Sequence, residues 1–169
     1  MELRDKTRAF LALGSNIDNR EKQIESATSI LSAKAGLFVY RVSSIYESPA
    51  AGDTEQPDYL NRVLEVETWL EPVDVLDLCL SAETEMGRVR NKAKGPRNID
   101  VDILLYGDII LRTDELSIPH LELHNRPFFL IPLKELSGDI IPPGENRRIS
   151  EILAGLSPYE ISIYDGKPY

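Results

Sequence analysis

A chain of 169 residues, 42% hydrophobic and 28% charged, is long enough to bury a core and has an ordinary globular composition, which argues against disorder. Its formal net charge of −9 argues against general nucleic-acid binding, because phosphate backbones are held by net basic surfaces. The single cysteine, Cys79, excludes an internal disulfide and reads as a small buried hydrophobe on a helix. The charged start "MELRDKTR" does not resemble a signal peptide, and no apolar run reaches membrane-spanning length. The expectation is one cytoplasmic domain over residues 1–169 that makes no membrane contact.

"RAFLALG", residues 8 to 14, is a short apolar run ending in glycine and reads as a first strand. Asp18 and Glu21 form a capping-box pattern, after which Ile24, Ala27, Leu31 and Ala35 recur at helical spacing and Gly36 suits a stop. "LFVYRVSSIYES", 37 to 48, is rich in β-branched and aromatic residues and reads as one strand. A Pro- and Gly-punctuated loop covers 49 to 58. "YLNRVLEVETW", 59 to 69, alternates: Leu60, Leu64 and Val66 lie on one side, Tyr59, Asn61, Glu65 and Glu67 on the other. Pro72 suits the first position of a helix running to about Met86.

From Met86 to Ile99 the chain carries Arg88, Arg90, Lys92, Lys94 and Arg97 without one acid, a local cationic arm in an acidic protein. It leads into "GPRNIDVDILLYG", 95 to 107, where a strand reading puts Ile99, Val101, Ile103 and Leu105 on one face and both Asp100 and Asp102 on the other. The two carboxylates sit on Cα atoms roughly 7 Å apart and need positive charge between them. Residues 137 to 147 read as loop, and the tail from Ile149 as a short helix and strand. The order β-α-β-β-α-β is the ferredoxin-like split βαβ pattern, an α+β class. Helices cover one sheet face, and the open face is left for ligand, covered in part by the C-terminal additions. Strands one and three are expected at the centre, with strand four beside strand one.

Paired carboxylates with open coordination positions suit Mg²⁺ shared with substrate phosphates, and the upstream basic residues suit a nucleotide polyphosphate. No G-x-x-x-x-G-K-[ST] is present. "GSN" at 14 to 16 reads either as a plain turn or as a turn presenting backbone N–H groups. His120 and His124 lie in a Pro-bounded loop, where zinc is disfavoured and His120 reads as a hydrogen-bond donor to a ligand. Glu83 falls on the helix stripe that should be apolar, and either reaches solvent or binds ligand. Phe128 and Phe129 follow Pro127 at a helix start.

"LALGSN", "SSIYESP", "QPDYLNRV", "GRVR", "GPRNIDVDILLYG" and "IPHLELHNRPFFLIPL" occur in one order over about residues 9 to 144. In this the chain resembles the 6-hydroxymethyl-7,8-dihydropterin pyrophosphokinases of folate biosynthesis. The resemblance implies transfer of pyrophosphate from ATP to the pterin hydroxymethyl oxygen, releasing AMP, by a protein that acts as a monomer with contacts to pathway enzymes open. By position, Asp100 and Asp102 would bind two Mg²⁺ ions with ATP, and Arg88 and Arg97 would neutralise charge on the transferred group. Glu83, Arg90, Ile103, Ser117, His120 and Arg126 would contact the nucleotide, with Arg90 on a closing loop. Tyr59 and Phe128 would sandwich the pterin ring, whose edge would meet Ser48, Pro49, Ala51, Gly52 and Asn61. Ala50 and Ala51 stand where relatives often carry Pro and Leu, Leu121 replaces a frequent aromatic, and Glu115 stands where a basic residue can occur.

Two alternatives remain at this stage. A non-catalytic ferredoxin-like binding module would expose aromatics on its central strands in a basic setting; here the third strand carries Glu65 and Glu67 on that face. A Mg²⁺-dependent phosphohydrolase would use the same aspartates with water, and would have no use for Tyr59 and Asn61.

Overall fold

The computed structural model describes residues 5–50, 55–88, 97–156 and 158–166. The chain runs β1 (Thr7–Ser15), α1 (Arg20–Ser32), β2 (Leu37–Val42), β3 (Tyr46–Ser48), β4 (Tyr59–Thr68), α2 (Pro72–Glu85) and β5 (Asp100–Tyr106). A small hairpin, β6 (Leu111–Arg112) and β7 (Ser117–Ile118), follows, then a 3-10 turn (Leu123–Asn125), α3 (Pro127–Ser137), α4 (Ile149–Leu156) and β8 (Ser162–Ile163). The main sheet is antiparallel in order β5-β1-β4-β3-β8, with β2 also paired to β4. The fold is thus mixed α and β, with an antiparallel main sheet and four α-helices among the described residues.

Alternation along the strands splits the core in two. Leu11 and Leu13 of β1, Leu64 and Val66 of β4 and Val101 and Ile103 of β5 pack with Ile24, Ala27 and Leu31 of α1 and Val75, Cys79 and Ala82 of α2. Phe10, Ala12, Val63, Leu104 and Leu105 point the other way, to Phe129, Leu130 and Leu133 of α3 and Ile152 and Leu153 of α4. Truncating a fully buried leucine such as Leu64 would cost about 2–5 kcal/mol, from lost transfer energy and the cavity left behind. Cys79 is fully buried, and burial pushes its thiol well above the ordinary value, with the charges of Glu83 and Asp102 adding to the effect.

Several local expectations are corrected. The cap of α1 is Asn19, whose side chain accepts from the Lys22 N–H at 3.0 Å; Asp18 instead turns at φ 58°. Asn and Asp tolerate this left-handed conformation better than most residues. The helix stops at Ser32, so Ala35 lies beyond it and is exposed. The run 37–48 is not one strand. Between the pairs Val42–Leu64 and Tyr46–Asn61 it advances one residue more than β4 does. Ser43 absorbs the difference: its N–H donates to the Val63 carbonyl, and its Oγ accepts from the Val63 N–H, both at 2.9 Å. Across this break Glu135 of α3 accepts from the Ser44 N–H at 2.9 Å and the Tyr46 hydroxyl at 2.5 Å. Burial, reinforced by Glu135, pushes the Tyr46 hydroxyl up to about 12.

Leu105 does not share a face with Ile103. Leu11 pairs with Ile103 but Phe10 pairs with Leu105, which leaves Leu104 as an extra residue. Such a β-bulge flips the alternation beyond it, so Leu104 and Leu105 both join the second face and Tyr106 returns to the first. Nor is Glu65 displayed on an open surface. It is buried at 3% exposure beneath Arg8 and Arg41.

Candidate active site

At one end of the second sheet face, small residues on the central strand make a floor. Gly14 of β1 pairs with Asn61 of β4 on one side and Asp100 of β5 on the other. The ring-facing residues and the carboxylates are therefore two strand spacings apart, roughly 10 Å. A Cβ on Gly14 would stand 3.5 Å from Asn61 Oδ1 and 3.7 Å from the Tyr59 ring, filling the space between them. Above this floor lies a cavity of about 240 Å³ lined by Ser48, Pro49, Gln56, Tyr59, Asn61, Arg97, Asp100, Asp102, Arg126 and Phe128, among others. Asn61 Nδ2 donates to Ser48 Oγ at 2.8 Å, which orients the amide. Burial raises the Tyr59 hydroxyl above its ordinary value, although the Arg97 charge pulls it down, so the ring stays neutral.

The positive charge that the spacing called for gathers on Asp100 and not between the two carboxylates. Arg88 Nη1 meets Asp100 Oδ1 at 2.6 Å and Glu83 Oε1 at 2.7 Å, while Arg97 Nη1 donates to Asp100 Oδ2 at 2.5 Å. Burial works against charge on Arg97, but the Asp100 charge and hydrogen bond outweigh it and its pKa lies above the ordinary value. Glu83 does not reach solvent: at 2% exposure it accepts from the Val101 N–H at 2.8 Å, tying the end of α2 to the start of β5. Glu83, Arg88, Arg97, Asp100, Asp102 and Glu115 line a second cavity of about 600 Å³ that shares the two aspartates and Arg97 with the first. Asp100 and Asp102 supply oxygen ligands only, and among the described residues no group of three or more His, Cys, Asp or Glu is arranged to hold a metal ion by itself. This donor set fits a hard cation that shares its coordination with waters and substrate phosphates.

His120 approaches from the other side, its Nε2 3.7 Å from Asp102 Oδ1. The β-bulge places it: the His120 N–H donates to the carbonyl of Leu104, the extra residue, at 3.0 Å. The Glu122 N–H donates to His120 Nδ1 at 3.1 Å, which orients the ring with Nε2 toward Asp102. Arg126 stacks over Phe128 and Phe129 at 5.7 and 5.3 Å. Ile103 is packed in the helix-side core at 4% exposure, and Ser117 sits half-buried in β7; neither lines the two cavities. Arg90, Ala51 and Gly52, and most of the cationic arm, lie outside the described residues.

Sequence reading missed two contributors. Gln56 lines the first cavity from the 49–58 loop. Asn16 does not present its N–H to a ligand, since that N–H donates to the Arg97 carbonyl at 3.1 Å. A polar residue directly after an apolar strand, where the chain turns, was the available signal.

A model of the family described as 7,8-dihydro-6-hydroxymethylpterin-pyrophosphokinase (HPPK) matches residues 10–138. The chain belongs to the HPPK family. It is 37% identical over 153 residues to the 2-amino-4-hydroxy-6-hydroxymethyldihydropteridine pyrophosphokinase of Haemophilus influenzae, covering 90% of this chain and 95% of that one. It is 41% identical over 156 residues to the folic acid synthesis protein fol1 of Schizosaccharomyces pombe, covering 92% of this chain but 21% of that longer protein. Among solved structures, the Plasmodium falciparum HPPK-DHPS with pterin and p-hydroxybenzoate aligns with a TM-score of 0.69 at 16% identity, over 91% of this chain and 44% of that one. At that identity the likeness speaks for the fold. The HPPK match runs from within β1 to the end of α3, so both aspartates, the Tyr59–Asn61 pair and Phe128 fall within it.

Proposed function

We propose that the chain transfers the pyrophosphoryl group of ATP to the hydroxymethyl oxygen of 6-hydroxymethyl-7,8-dihydropterin, a step of folate biosynthesis. The oxygen–β-phosphorus bond forms as the bond from the β-phosphorus to the bridging oxygen of AMP breaks, and the alcohol proton is lost. Family membership supports the activity, and the observation that carries its location is the Asn61–Gly14–Asp100 row, which joins a ring-sized cavity to a pair of carboxylates, one of them, Asp100, clamped by two arginines.

Tyr59 and Phe128 hold the ring between two aromatic faces, and Ser48, Pro49 and Asn61 meet its edge of alternating donors and acceptors. Asn61 Nδ2 is already committed to Ser48 Oγ, so its Oδ1 accepts from a ring N–H. Asp100 and Asp102 hold two Mg²⁺ ions with ATP, which when bound withdraw charge from the phosphate oxygens and favour loss of the alcohol proton. Arg88 and Arg97, the catalytic cations, move from Asp100 to the phosphoryl oxygens as nucleotide arrives, where they offset the charge that develops there. Glu83 keeps one contact on Arg88 during that exchange, and holds the start of β5. His120 donates from Nε2 and Arg126 adds positive charge on the nucleotide side, joined by Arg90, Ile103 and Ser117 at the rim, while Ala51 and Gly52 complete the ring edge. No side-chain base is required: phosphoryl transfer asks the protein mainly for alignment and charge.

We also infer that the strand order follows the ferredoxin-like plan as a single domain, with the residues after β5 forming additions on the second face. Nucleotide product analysis tests the activity. AMP formed only when the pterin is present is the expected result; ADP, or turnover without pterin, overturns it.

A further inference from the structure

Gly14 and Ser15 of "GSN" are still paired in β1; Asn16 directly follows the strand and is fully buried, yet it is not among the residues lining either cavity of the site. Its backbone N–H and both ends of its side-chain amide are engaged by protein groups. Its N–H donates to the Arg97 carbonyl at 3.1 Å, and its Oδ1 accepts from the Arg97 N–H at 2.8 Å, a reciprocal pair with one residue. Its Nδ2 turns to the opposite loop, donating to Gln56 Oε1 at 3.1 Å and to the Pro57 carbonyl at 3.3 Å. The partners fix which end of the amide is which, because an N–H must face the oxygen and the carbonyls must face the nitrogen. Gln56 lines the ring cavity, and the Arg97 guanidinium sits on Asp100. One buried amide therefore fastens the loop that closes the ring side to the backbone that aims the phosphate-side cation.

We propose that Asn16 is a positioning residue that couples occupation of the ring cavity to the placement of the Arg97 guanidinium. The inference rests on the pyrophosphokinase reading above and adds to it a residue that lines neither cavity. Aspartate is not equivalent: it keeps an acceptor for the Arg97 N–H but turns a carboxylate on the Gln56 and Pro57 oxygens. Alanine releases Gln56 and Pro57 and leaves a part-buried Arg97 N–H without its acceptor, so that only the backbone bond from the residue 16 N–H to the Arg97 carbonyl remains.

The test is a double-mutant cycle of Asn16→Ala and Arg97→Ala, read as kcat and KM for the pterin with AMP as product, with urea unfolding of each variant as the check on folding. Alone, Asn16→Ala should lower kcat about tenfold, by misplacing the guanidinium, and raise the pterin KM severalfold, by loosening Gln56. In the Arg97→Ala background kcat should fall no further, while KM should still rise. A purely structural role predicts instead a loss of folded enzyme with unchanged KM. If Asn16→Ala does not fold, Gln56→Ala carries the same cycle; its kcat loss has to vanish once Arg97 is alanine. Multiplicative losses of kcat in a chain that forms AMP overturn the coupling alone. Absence of pterin-dependent AMP from the unaltered chain overturns the activity and the coupling with it.

Discussion

Two acids on the same sheet face, one on either side of β1 and near its opposite ends, are each gripped by two arginines. Glu65 of β4 is held by Arg8 and by Arg41, whose Nη2 also donates to the Leu136 carbonyl at 2.5 Å and so pins the end of α3 to the sheet. Asp100 of β5 is held by Arg88 and Arg97 beside the two cavities. The local chemistry is alike, but the surroundings differ. Around Glu65 the face is filled by Phe10, Val63 and the leucines of α3, and its side chain is 4% exposed. Around Asp100 the neighbours are Gly14 and Ala12, and its side chain is 21% exposed. The Glu65 carboxylate is closed to ligand, although its two arginines are half exposed, and it lines neither of the cavities that hold the paired aspartates. The open Asp100 cluster can pass its cations to an incoming polyphosphate. The same ion-pair motif thus holds the structure together at one end and stands ready for ligand at the other.

Breaking the two clusters should therefore give opposite phenotypes. Asp100→Ala should lower kcat by about a thousandfold or more, as expected when a group at the developing charge is removed, with little change in the urea midpoint, since Arg88 keeps Glu83. Retained turnover would show that the open cluster is structural after all. Tyr59→Ala sharpens the assignment of the cavity: pterin binding should weaken about tenfold to a hundredfold, the scale of one lost aromatic face, while titration with an ATP analogue stays unchanged. Equal loss of both ligands points to a folding role.

Glu65→Ala should leave KM and kcat near those of the unaltered chain but lower stability by about 1–2 kcal/mol. That is less than for a fully buried pair, because Arg8 and Arg41 are half exposed and rehydrate. A large fall in kcat without a fall in stability would contradict the division of roles. The smallest effect is expected at Asp139, whose carboxylate accepts from the Ser150 hydroxyl at 2.6 Å and the Ser150 N–H at 2.8 Å at the start of α4. These bonds lower its pKa from the ordinary value. A folded pKa below the unfolded one adds stability above the ordinary carboxylate value and loses it as pH falls through the folded value. The Tm gap between the unaltered chain and Asp139→Asn should therefore close on acidification; a gap constant with pH would assign the effect to packing.

Much of the site could be read from local pattern. The alternation of Asp100 and Asp102 against Val101 and Ile103 forces both carboxylates to one face wherever the strand pairs, and the same rule puts Tyr59 and Asn61 together. Pro72 and the apolar spacing after it mark α2. Glu83 was ambiguous because nothing within its helix says that β5 will offer it the Val101 N–H. The continuous reading of 37 to 48 failed because both halves have the right composition, and only β4 shows that Ser43 is one residue too many for unbroken pairing.

What the sequence determined by itself were periodicities, turn residues and charge runs, since these arise within a few residues of backbone geometry. The tertiary structure decided the rest: the bulge at Leu104 that sends Leu105 to the second face and holds His120, the sealing of Glu65 by α3, and the fastening of Gln56 to Arg97 through Asn16. Register and closure depend on partners far along the chain, and a hydrogen bond between residues 16 and 97 leaves no trace in the neighbours of either.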